Sequence, residues 1–368
     1  MNKIVYLLFF VVAILIYYGM NYYVYKRIVN GLMLDIKRRA LVRFLIIILA
    51  TTFFLGEFLD RTAPVYFITL IGSVWVGILT ISIAVFVLKD IVWYFYKEEK
   101  ILTVASLSII CILSIIYLYQ VYSGFVVKEI RLTVDKPKFN LPEISIVQIS
   151  DVHFGTLVSK KWLEKIVDKV NSLQADIIVI TGDLIDGNIF DKKENIEKLK
   201  TLTAKKGVYV VTGNHEFYFG IDKFTKIVNE LGFNLLRNEN INLENGITIA
   251  GVDEITAQRF VKNGGPDLTK TFKDVDNKNL IVLLSHQPDL FDEARVYGVD
   301  LQLSGHTHMG QIPPMDLIVK FYFKYPYGLV KKNGSYIYTT SGTGFWGPPM
   351  RLFSKCEIVK FVITKEQK

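Results

Sequence analysis

The chain has 368 residues, of which 51% are hydrophobic and 21% are charged, and its net charge is +8. That charge does not indicate nucleic-acid binding, because the excess lies mainly in residues 1–125, which hold 11 Lys and Arg against 6 Asp and Glu. The remainder is nearly balanced, with 32 against 29. No nucleic-acid partner is expected. Two cysteines, Cys111 and Cys356, exclude a disulfide framework, and the length suggests two domains.

Residues 1–126 predict an α-helical membrane domain of about four spans, because about 20 apolar residues cross the hydrocarbon core of a bilayer. The predicted spans are Ile4–Tyr25, Leu41–Leu59, Val65–Leu88 and Ile101–Val126. The second is the weakest, since Arg43 and Glu57 flank its apolar core, although both side chains can extend to the interface. The first lacks a small-residue cleavage site, which favours an uncleaved helix over a signal peptide.

The basic residues of the loops predict the orientation, because cytoplasmic loops are enriched in Lys and Arg. The first loop carries six of them and the third carries three, whereas the N-terminus and the second loop carry one each. Four more follow the last span, namely Lys128, Arg131, Lys136 and Lys138. The tally of nine to six predicts cytoplasmic first and third loops and an extracytoplasmic C-terminal domain. The opposite orientation stays open as the alternative.

Residues 127–142 are expected to form a juxtamembrane connector, and residues 143–368 a separate α/β domain. In that domain, β-branched runs near positions 144, 176, 208, 280 and 299 each end at a polar motif. Continuous apolar runs of this length are typical of buried strands, and open α/β sheets bind ligands at the carboxyl ends of their strands. Further predicted elements are two helices, Lys161–Leu173 and 191–204, and two strands, Ser335–Thr340 and Glu357–Thr364.

The polar motifs at these strand ends contain all five histidines of the chain. In order they read Asp151-Val152-His153, Gly182-Asp183, Gly213-Asn214-His215, Ser285-His286 and Gly305-His306-Thr307-His308. Imidazole, carboxylate and asparagine carbonyl groups are the mixed donors that suit Zn, Mn or Fe. Taken singly, each residue could be a turn residue at a strand end. Because no histidine is left for a core or surface position, the set predicts a metal centre.

This ordered set of motifs resembles the calcineurin-like metallophosphoesterase superfamily, over roughly Glu143 to Lys360. The resemblance implies an α/β fold in which two mixed β-sheets form a sandwich flanked by helices, here preceded by the membrane domain. It also implies two divalent metal ions, Mn, Fe or Zn, as cofactors. The first would be held by Asp151, His153 and His308, the second by Asn214, His286 and His306, with Asp183 bridging both. A bridging carboxylate holds two cations about 3.5–4 Å apart.

The resemblance assigns His215 a catalytic role rather than a metal. It would protonate the leaving-group oxygen as a general acid or stabilise the transition state, and Asp186 would orient it. The spacing after Asp183 would let Asp186 accept the second ring hydrogen and raise the imidazole pKa. Asp186 could instead be a helix N-cap or turn residue. For Glu216, a direct role, a supporting role and a solvent-facing one all remain open.

Other positions indicate a branch of the superfamily. Gly187 stands where its protein Ser/Thr phosphatases carry an arginine, which argues against that branch. Ser304–Ile312 and Ser341–Gly344 look like the bacterial membrane-linked branch, whose members include cell-envelope phosphodiesterases and pyrophosphatases acting on lipid-linked UDP-sugars. Met309 and Cys356 depart from that branch's pattern, but neither is a ligand, so they affect subfamily and substrate rather than the metal centre.

Aromatic and basic residues interleave between Val319 and Lys332. Near a membrane anchor, such a segment could enter the membrane interface and reach lipid headgroups. A hairpin that buries its tyrosines against the domain fits the same residues.

The expected function is that of a multi-pass cell-membrane protein with an extracytoplasmic dimetal phosphoesterase domain. Its substrate would be a phosphodiester or pyrophosphate, from the cell envelope or linked to a lipid. One alternative is a cytoplasm-facing pyrophosphatase of a UDP-sugar lipid. The other is a non-catalytic sensor of a phosphorylated ligand, against which the intact ligand set argues.

Overall fold

A computed structural model of the protein describes residues 3–60, 65–187 and 196–366. The chain forms two compact units. The helical unit comprises the residues up to Tyr122 and two later segments, Ile312–Met315 and Gly347–Leu352. The α/β unit comprises Ser123–Gln311, Asp316–Trp346 and the residues from Phe353 onward.

The described part of the helical unit contains the long helices α1 Lys3–Gly31, α2 Ile36–Asp60, α3 Tyr66–Phe95 and α4 Glu99–Tyr122. Among the described residues, three helices are long and apolar enough to cross a membrane, namely Ile36–Leu59, Tyr66–Phe95 and Glu99–Tyr122. They correspond to the second, third and fourth predicted spans, including the weakest. The first predicted span, Ile4–Tyr25, falls within α1, and several of its side chains lie outside the described residues.

The two later segments complete the core of the helical unit. Ile312 and Met350 are buried in one apolar cluster with Leu79 of α3. Gly77 makes this packing possible, because a side chain at that position would collide with Met350. Residues far apart in the sequence therefore share one apolar core.

Charged side chains pair where α1, α3 and α4 meet. Arg27 lies 2.6 Å from Asp90, and the Lys89 ammonium lies 2.5 Å from Glu99 Oε1. The sequence places Lys89 in the third loop, but it lies inside α3 with its side chain buried. Glu99 compensates its charge, which offsets the cost of removing an ammonium group from water.

The α/β unit is built on twelve described strands. They are β1 Phe125–Val134, β2 Glu143–Ile149, β3 Ile177–Thr181, β4 Val208–Val211, β5 Asn234–Leu235, β6 Glu239–Leu243, β7 Ile247–Gly251, β8 Leu280–Leu284, β9 Leu301–Ser304, β10 Gly328–Lys332, β11 Ser335–Thr339 and β12 Cys356–Lys365. The runs predicted as strands from the sequence correspond to β2, β3, β4, β8, β9, β11 and β12. Of the others, β5 is only two residues long, β6 and β10 are more polar, and β1 directly follows α4 in the sequence, whereas β7 is a buried apolar strand that the sequence analysis missed.

These strands form two six-stranded mixed sheets. One has the order β1-β12-β2-β3-β4-β5, and the other has the order β10-β11-β9-β8-β7-β6. Side chains of both sheets, such as Ile146 and Val179 of the first and Ile249 and Val282 of the second, share one buried core. Helices flank the sheets, so the structure confirms the predicted two-sheet sandwich.

The described α-helices of this unit are α5 Lys160–Ser172, α6 Asn214–Phe219, α7 Ile221–Leu231, α8 Leu268–Thr271, α9 Phe291–Ala294 and, from its second residue onward, α10 Met315–Tyr322. The first confirms the amphipathic helix predicted at Lys161–Leu173. The Ser159 side chain caps it by accepting a hydrogen bond from the Trp162 backbone N–H, and Ile166 and Val170 are buried. Of the helix predicted at 191–204, the first part lies outside the described residues, and Glu197–Thr201 forms a short 3₁₀ helix.

Two predicted boundaries differ from the structure. The fourth span was predicted to reach Val126 and a connector to occupy residues 127–142. Instead α4 ends at Tyr122, and β1 begins at Phe125 and pairs in parallel with β12 along its whole length. Gly124, with φ +103°, permits the abrupt change from helix to strand. A run of β-branched apolar residues suits a membrane span and a buried strand equally well, so hydropathy alone misplaces this boundary.

Candidate metal centre

The polar motifs follow strands of both sheets. In the first sheet, the parallel strands β2, β3 and β4 lead into Asp151, Asp183 and Asn214. In the second, the parallel strands β8 and β9 lead into His286 and His306. Because the carboxyl ends of parallel strands lie at the same edge of a sheet, motifs that are far apart in the sequence meet in space.

One cluster consists of Asp151, His153 and His308, which are all buried. The Nε2 atoms of the two imidazoles lie 3.1 Å apart, and His308 Nε2 lies 3.5 Å from Asp151 Oδ1. Two imidazole nitrogens that face each other beside a carboxylate are an arrangement that a shared cation would stabilise. The three ligands predicted for the first metal thus lie together.

A second cluster surrounds His286. Its Nε2 lies 3.3 Å from Asp183 Oδ2, 3.2 Å from Asn214 Oδ1 and 3.2 Å from His306 Nδ1. Its Nδ1 lies 2.8 Å from the Thr181 carbonyl oxygen, an arrangement in which Nδ1 donates and Nε2 is left free for a metal. Burial is the largest cause that lowers the pKa of His306 to about 3, so this ring is neutral, as a ligand must be.

Asp183 lies between the two clusters. Its Oδ2 is 3.3 Å from His286 Nε2 in the second cluster and 3.8 Å from His153 Nε2 in the first. Its Oδ1 accepts a hydrogen bond of 2.9 Å from the backbone N–H of His215. A buried carboxylate in this position can contact both cations, as the predicted bridging role requires.

Five of the predicted ligands have a left-handed backbone conformation, with φ between 48° and 70°: Asp151, His153, Asp183, His306 and His308. Residues other than glycine rarely adopt it, and each such residue costs on the order of 1–3 kcal/mol. Backbone hydrogen bonds hold the conformation. For example, the Asp151 N–H donates to the Gly182 carbonyl at 3.0 Å, and the His306 N–H donates to Asp151 Oδ1 at 3.0 Å. Strain concentrated on these residues marks a functional site.

Two motif glycines are required by close contacts. A side chain at Gly305 would collide with the side chains of Asp151 and Ser150, and a side chain at Gly213 would collide with Asp183. These glycines therefore let neighbouring loops approach the carboxylates closely, which agrees with the tight-turn interpretation of the motifs.

Glu216, whose role the sequence left open, connects the loop after β3 with the loop after β4 through hydrogen bonds. Its fully buried carboxylate accepts hydrogen bonds from the backbone N–H groups of Gly213, Asp183 and Leu184, at 2.6, 3.0 and 2.8 Å. Burial, and then the nearby Asp183 carboxylate, raises the pKa of Glu216 to about 7. Its position is that of a support for the loops, and the solvent-facing alternative is wrong.

His215 lies in the first turn of α6 and faces Asp186. Its Nδ1 lies 2.8 Å from Asp186 Oδ1. The same carboxylate lies 3.0 Å from His153 Nδ1, so Asp186 contacts two imidazoles. These three side chains are themselves close enough together to hold an ion. Burial lowers the pKa of His215, but the carboxylates of Asp186 and Asp183 outweigh it and raise the pKa to about 10, which favours a proton-donating imidazolium.

Aromatic rings that the sequence did not connect with the site flank two of its histidines. The ring centroids of Tyr218 and Trp346 lie 5.5 and 6.1 Å from that of His215, and the centroid of Phe323 lies 5.7 Å from that of His306. Tyr218 and Trp346 are exposed. Tyr218 could have been found from its place three residues after His215. No local signal associates Trp346 or Phe323 with the motifs, because both are far from their partners in the sequence.

The segment of interleaved aromatic and basic residues divides into two parts. Tyr325 is buried, with its ring edge against Phe291, as the buried-hairpin hypothesis expects. Upstream, α10 leaves Phe321 97% exposed and Tyr322 79% exposed. The buried-hairpin hypothesis therefore fits Tyr325, and the membrane-interface hypothesis stays a prediction for the exposed residues of α10.

The donor set fits two divalent cations. Imidazole nitrogens, carboxylates and the Asn214 amide oxygen are the mixture that suits Zn, Mn or Fe. Asp151 and Asp183 are 0% and 2% exposed, and bound cations would compensate charges that burial otherwise disfavours. At Gly213 and Gly305, where the loops approach the two carboxylates most closely, only glycine fits. This close packing keeps both carboxylates in place.

Comparisons with known proteins agree with this site. The calcineurin-like phosphoesterase family model matches residues 144–310. An uncharacterized metallophosphoesterase of Campylobacter jejuni is 31% identical over 378 residues, covering 96% of this chain and 98% of that protein. A transmembrane protein with metallophosphoesterase domain from Danio rerio is 30% identical, covering 72% of this chain and 63% of that protein.

An uncharacterized metallophosphoesterase of Helicobacter pylori J99 is 37% identical over 234 residues, covering 63% of this chain. The chain spans 62% of the length of this and a second Helicobacter pylori relative. The residues of the family match include all of the metal-ligand motifs, and the Campylobacter alignment covers nearly the whole chain. This chain belongs to the calcineurin-like metallophosphoesterase family.

Proposed function

We propose that this protein is a membrane-anchored dimetal phosphoesterase that hydrolyses a phosphodiester or pyrophosphate of the cell envelope or of a lipid. The observation that carries the proposal is the position of His215, a protonatable imidazole whose Nδ1 lies 2.8 Å from Asp186 Oδ1, beside the two ligand clusters. A metal-binding module without catalysis would need the ligands but not an oriented proton donor. The sensor alternative therefore leaves His215 without a role.

The ligands divide between two cations. Asp151, His153 and His308 would hold the first, Asn214, His286 and His306 the second, and Asp183 both. When bound, such cations polarise the phosphoryl oxygens and make water nucleophilic near neutral pH. The protein holds the ligand loops in place through Glu216 and the strained backbone of the motifs. Asp186 fixes the His215 ring, and His215 Nε2 donates a proton to the departing oxygen.

A lipid-linked or envelope substrate is supported by three features of the chain. Three described helices could cross a membrane, and one relative carries the name of a transmembrane protein. The exposed rings of Tyr218 and Trp346 provide an apolar surface beside the proton donor. A leaving group with an apolar portion could pack against these rings, which a small polar phosphoester could not do.

A substrate panel tests this proposal. Purified protein supplied with Mn should hydrolyse a lipid-linked phosphodiester or pyrophosphate in mixed micelles with a higher kcat/KM than a water-soluble analogue with the same scissile bond. Equal kcat/KM for the two would reject the lipid preference. Hydrolysis of phosphate monoesters alone would reject the phosphodiester and pyrophosphate assignment.

The loop charges support an extracytoplasmic α/β domain, and cysteine labelling tests which side of the membrane this domain faces. Val296, which is 83% exposed in the α/β unit, is changed to Cys in a Cys111→Ser background; Cys356 is buried. A membrane-impermeant maleimide should label Val296→Cys in intact cells. A second variant, Lys97→Cys in the exposed loop between α3 and α4, should be labelled only after lysis. The reverse pattern would favour the cytoplasmic UDP-sugar lipid pyrophosphatase.

A further inference from the structure

Helix α10 carries its large apolar side chains on the outside. Leu317, Ile318, Phe321 and Tyr322 are 63%, 55%, 97% and 79% exposed. At the helical period these four positions lie on one face. A contiguous exposed apolar patch of this kind marks an interaction surface rather than an ordinary solvent-facing helix.

The opposite face of α10 carries a buried acidic residue. Asp316 is buried and lies 3.4 Å from the Lys320 ammonium, one turn along the helix. Phe323, directly after the helix, places its ring 5.7 Å from that of His306 in the metal centre. A helix on the surface of a soluble domain turns its apolar side inward, whereas α10 turns Asp316 inward and its apolar side outward.

We propose that α10 inserts its exposed apolar face into the surface of the lipid bilayer. The chain enters the helix from Ile312–Met315, which belongs to the helical unit, and Ile312 is buried there in one cluster with Leu79 of α3. The exposure of the α10 residues also resembles that of membrane-spanning helices, in which Phe67 is 75% and Tyr119 is 74% exposed. Eight residues extend over about 12 Å, which suits a helix lying in the interface and not one crossing the bilayer.

The contact between Phe323 and His306 gives this membrane contact a consequence for substrate selection. A substrate anchored by an acyl or polyprenyl chain would remain in the lipid next to α10 while its phosphate group reaches the ligands. The substrate class is thus a lipid phosphoester drawn from the bilayer. This consequence rests on the proposed function, whereas the insertion of α10 does not.

A fluorescence experiment tests the insertion without any turnover. The full chain with Phe321→Cys and Cys111→Ser is labelled with the environment-sensitive dye NBD and reconstituted into phosphatidylcholine–phosphatidylglycerol vesicles. Its emission should shift to the blue and be quenched by lipids that carry a doxyl group high on the acyl chain. Labelled Val296→Cys, also strongly exposed, should keep the emission of a dye in water and be quenched by iodide instead. Iodide quenching at position 321 as strong as at position 296 would overturn the proposal. A blue-shifted emission that doxyl lipids do not quench would also overturn it, because that result is expected of protein–protein contact.

A matched pair of substitutions tests the link to substrate selection. Phe321→Asp should lower the rate on a nitrophenyl phosphodiester of diacylglycerol in vesicles by about tenfold or more, because a buried phenyl group contributes roughly 1.5–3 kcal/mol. The rate on soluble bis(4-nitrophenyl) phosphate should stay unchanged. Val296→Asp should leave both rates unchanged. Equal losses of rate on both substrates in Phe321→Asp would overturn the link to substrate selection. If the wild type hydrolyses neither substrate, the proposed function is rejected, while the fluorescence result still decides the insertion.

Discussion

Asp183→Asn is expected to lower phosphoester turnover by more than about a hundredfold. Removing a group that only supports a metal ligand already lowers metal affinity or activity by about 10–100-fold. Asp183 Oδ2 lies within 3.8 Å of a histidine in each cluster, so the neutral amide weakens both metal sites together. The measurement is kcat/KM for bis(4-nitrophenyl) phosphate with Mn in excess. Mn is supplied in excess so that a variant with weakened metal affinity can be distinguished from one whose metal site cannot support turnover at all.

A substitution at the other end of β3 from Asp183 provides the control. Asp176, just before β3, accepts hydrogen bonds from the backbone and hydroxyl of Ser145 and pairs with Lys205, far from the ligands. Asp176→Asn perturbs the fold locally and should leave turnover close to that of the wild type. Normal turnover in Asp183→Asn, with Asp176→Asn equally active, would remove Asp183 from the site.

His215→Ala is expected to lower turnover by about 10²–10⁴-fold, the usual range for a lost general acid, while the metal content stays unchanged. The loss should be smallest for a nitrophenolate leaving group, which departs with little protonation. It should be largest for an alkoxide, as in a glycerol phosphodiester. The comparison of the two substrates within one variant is its own control for misfolding.

Two other outcomes would assign His215 differently. Equal losses on both substrates would mean that it stabilises charge on the phosphoryl group rather than protonating the leaving oxygen. Loss of metal would make it a ligand, as its closeness to His153 and Asp186 allows. Asp186 contacts both imidazoles, so Asp186→Asn should combine a lower metal affinity with a smaller leaving-group effect.

The ordered motifs, through their resemblance to the metallophosphoesterase superfamily, predicted the sandwich that the structure confirms and the candidate metal ligands that it brings together. Strand ends are local features, and the ligands follow them directly, so periodicity and residue type locate Asp151 or His286 without knowledge of the tertiary structure. Glu216 could not be assigned in this way. Its role depends on three backbone N–H groups, and those of Asp183 and Leu184 come from a loop more than 30 residues away.

Packing between distant segments also limited prediction from the sequence. The pattern of α10 shows which residues share a face, but only the structure shows that the apolar face is outside and that Asp316 is buried. In the same way, nothing near Ile312 or Met350 indicates that both belong to the core of the helical unit. Hydropathy placed the end of the fourth span at Val126 because the start of β1 is as apolar as a membrane helix.

The metal content of the purified protein tests the central claim most directly. Elemental analysis of the wild type, after incubation with Mn and removal of unbound metal, should give two ions per chain, and Asp183→Asn should retain far less. Turnover in the wild type should reach its maximum only when two ions per chain are bound, as a chelated sample is titrated. Full activity with one ion per chain, or two ions retained by an active Asp183→Asn, would contradict a dimetal centre bridged by Asp183.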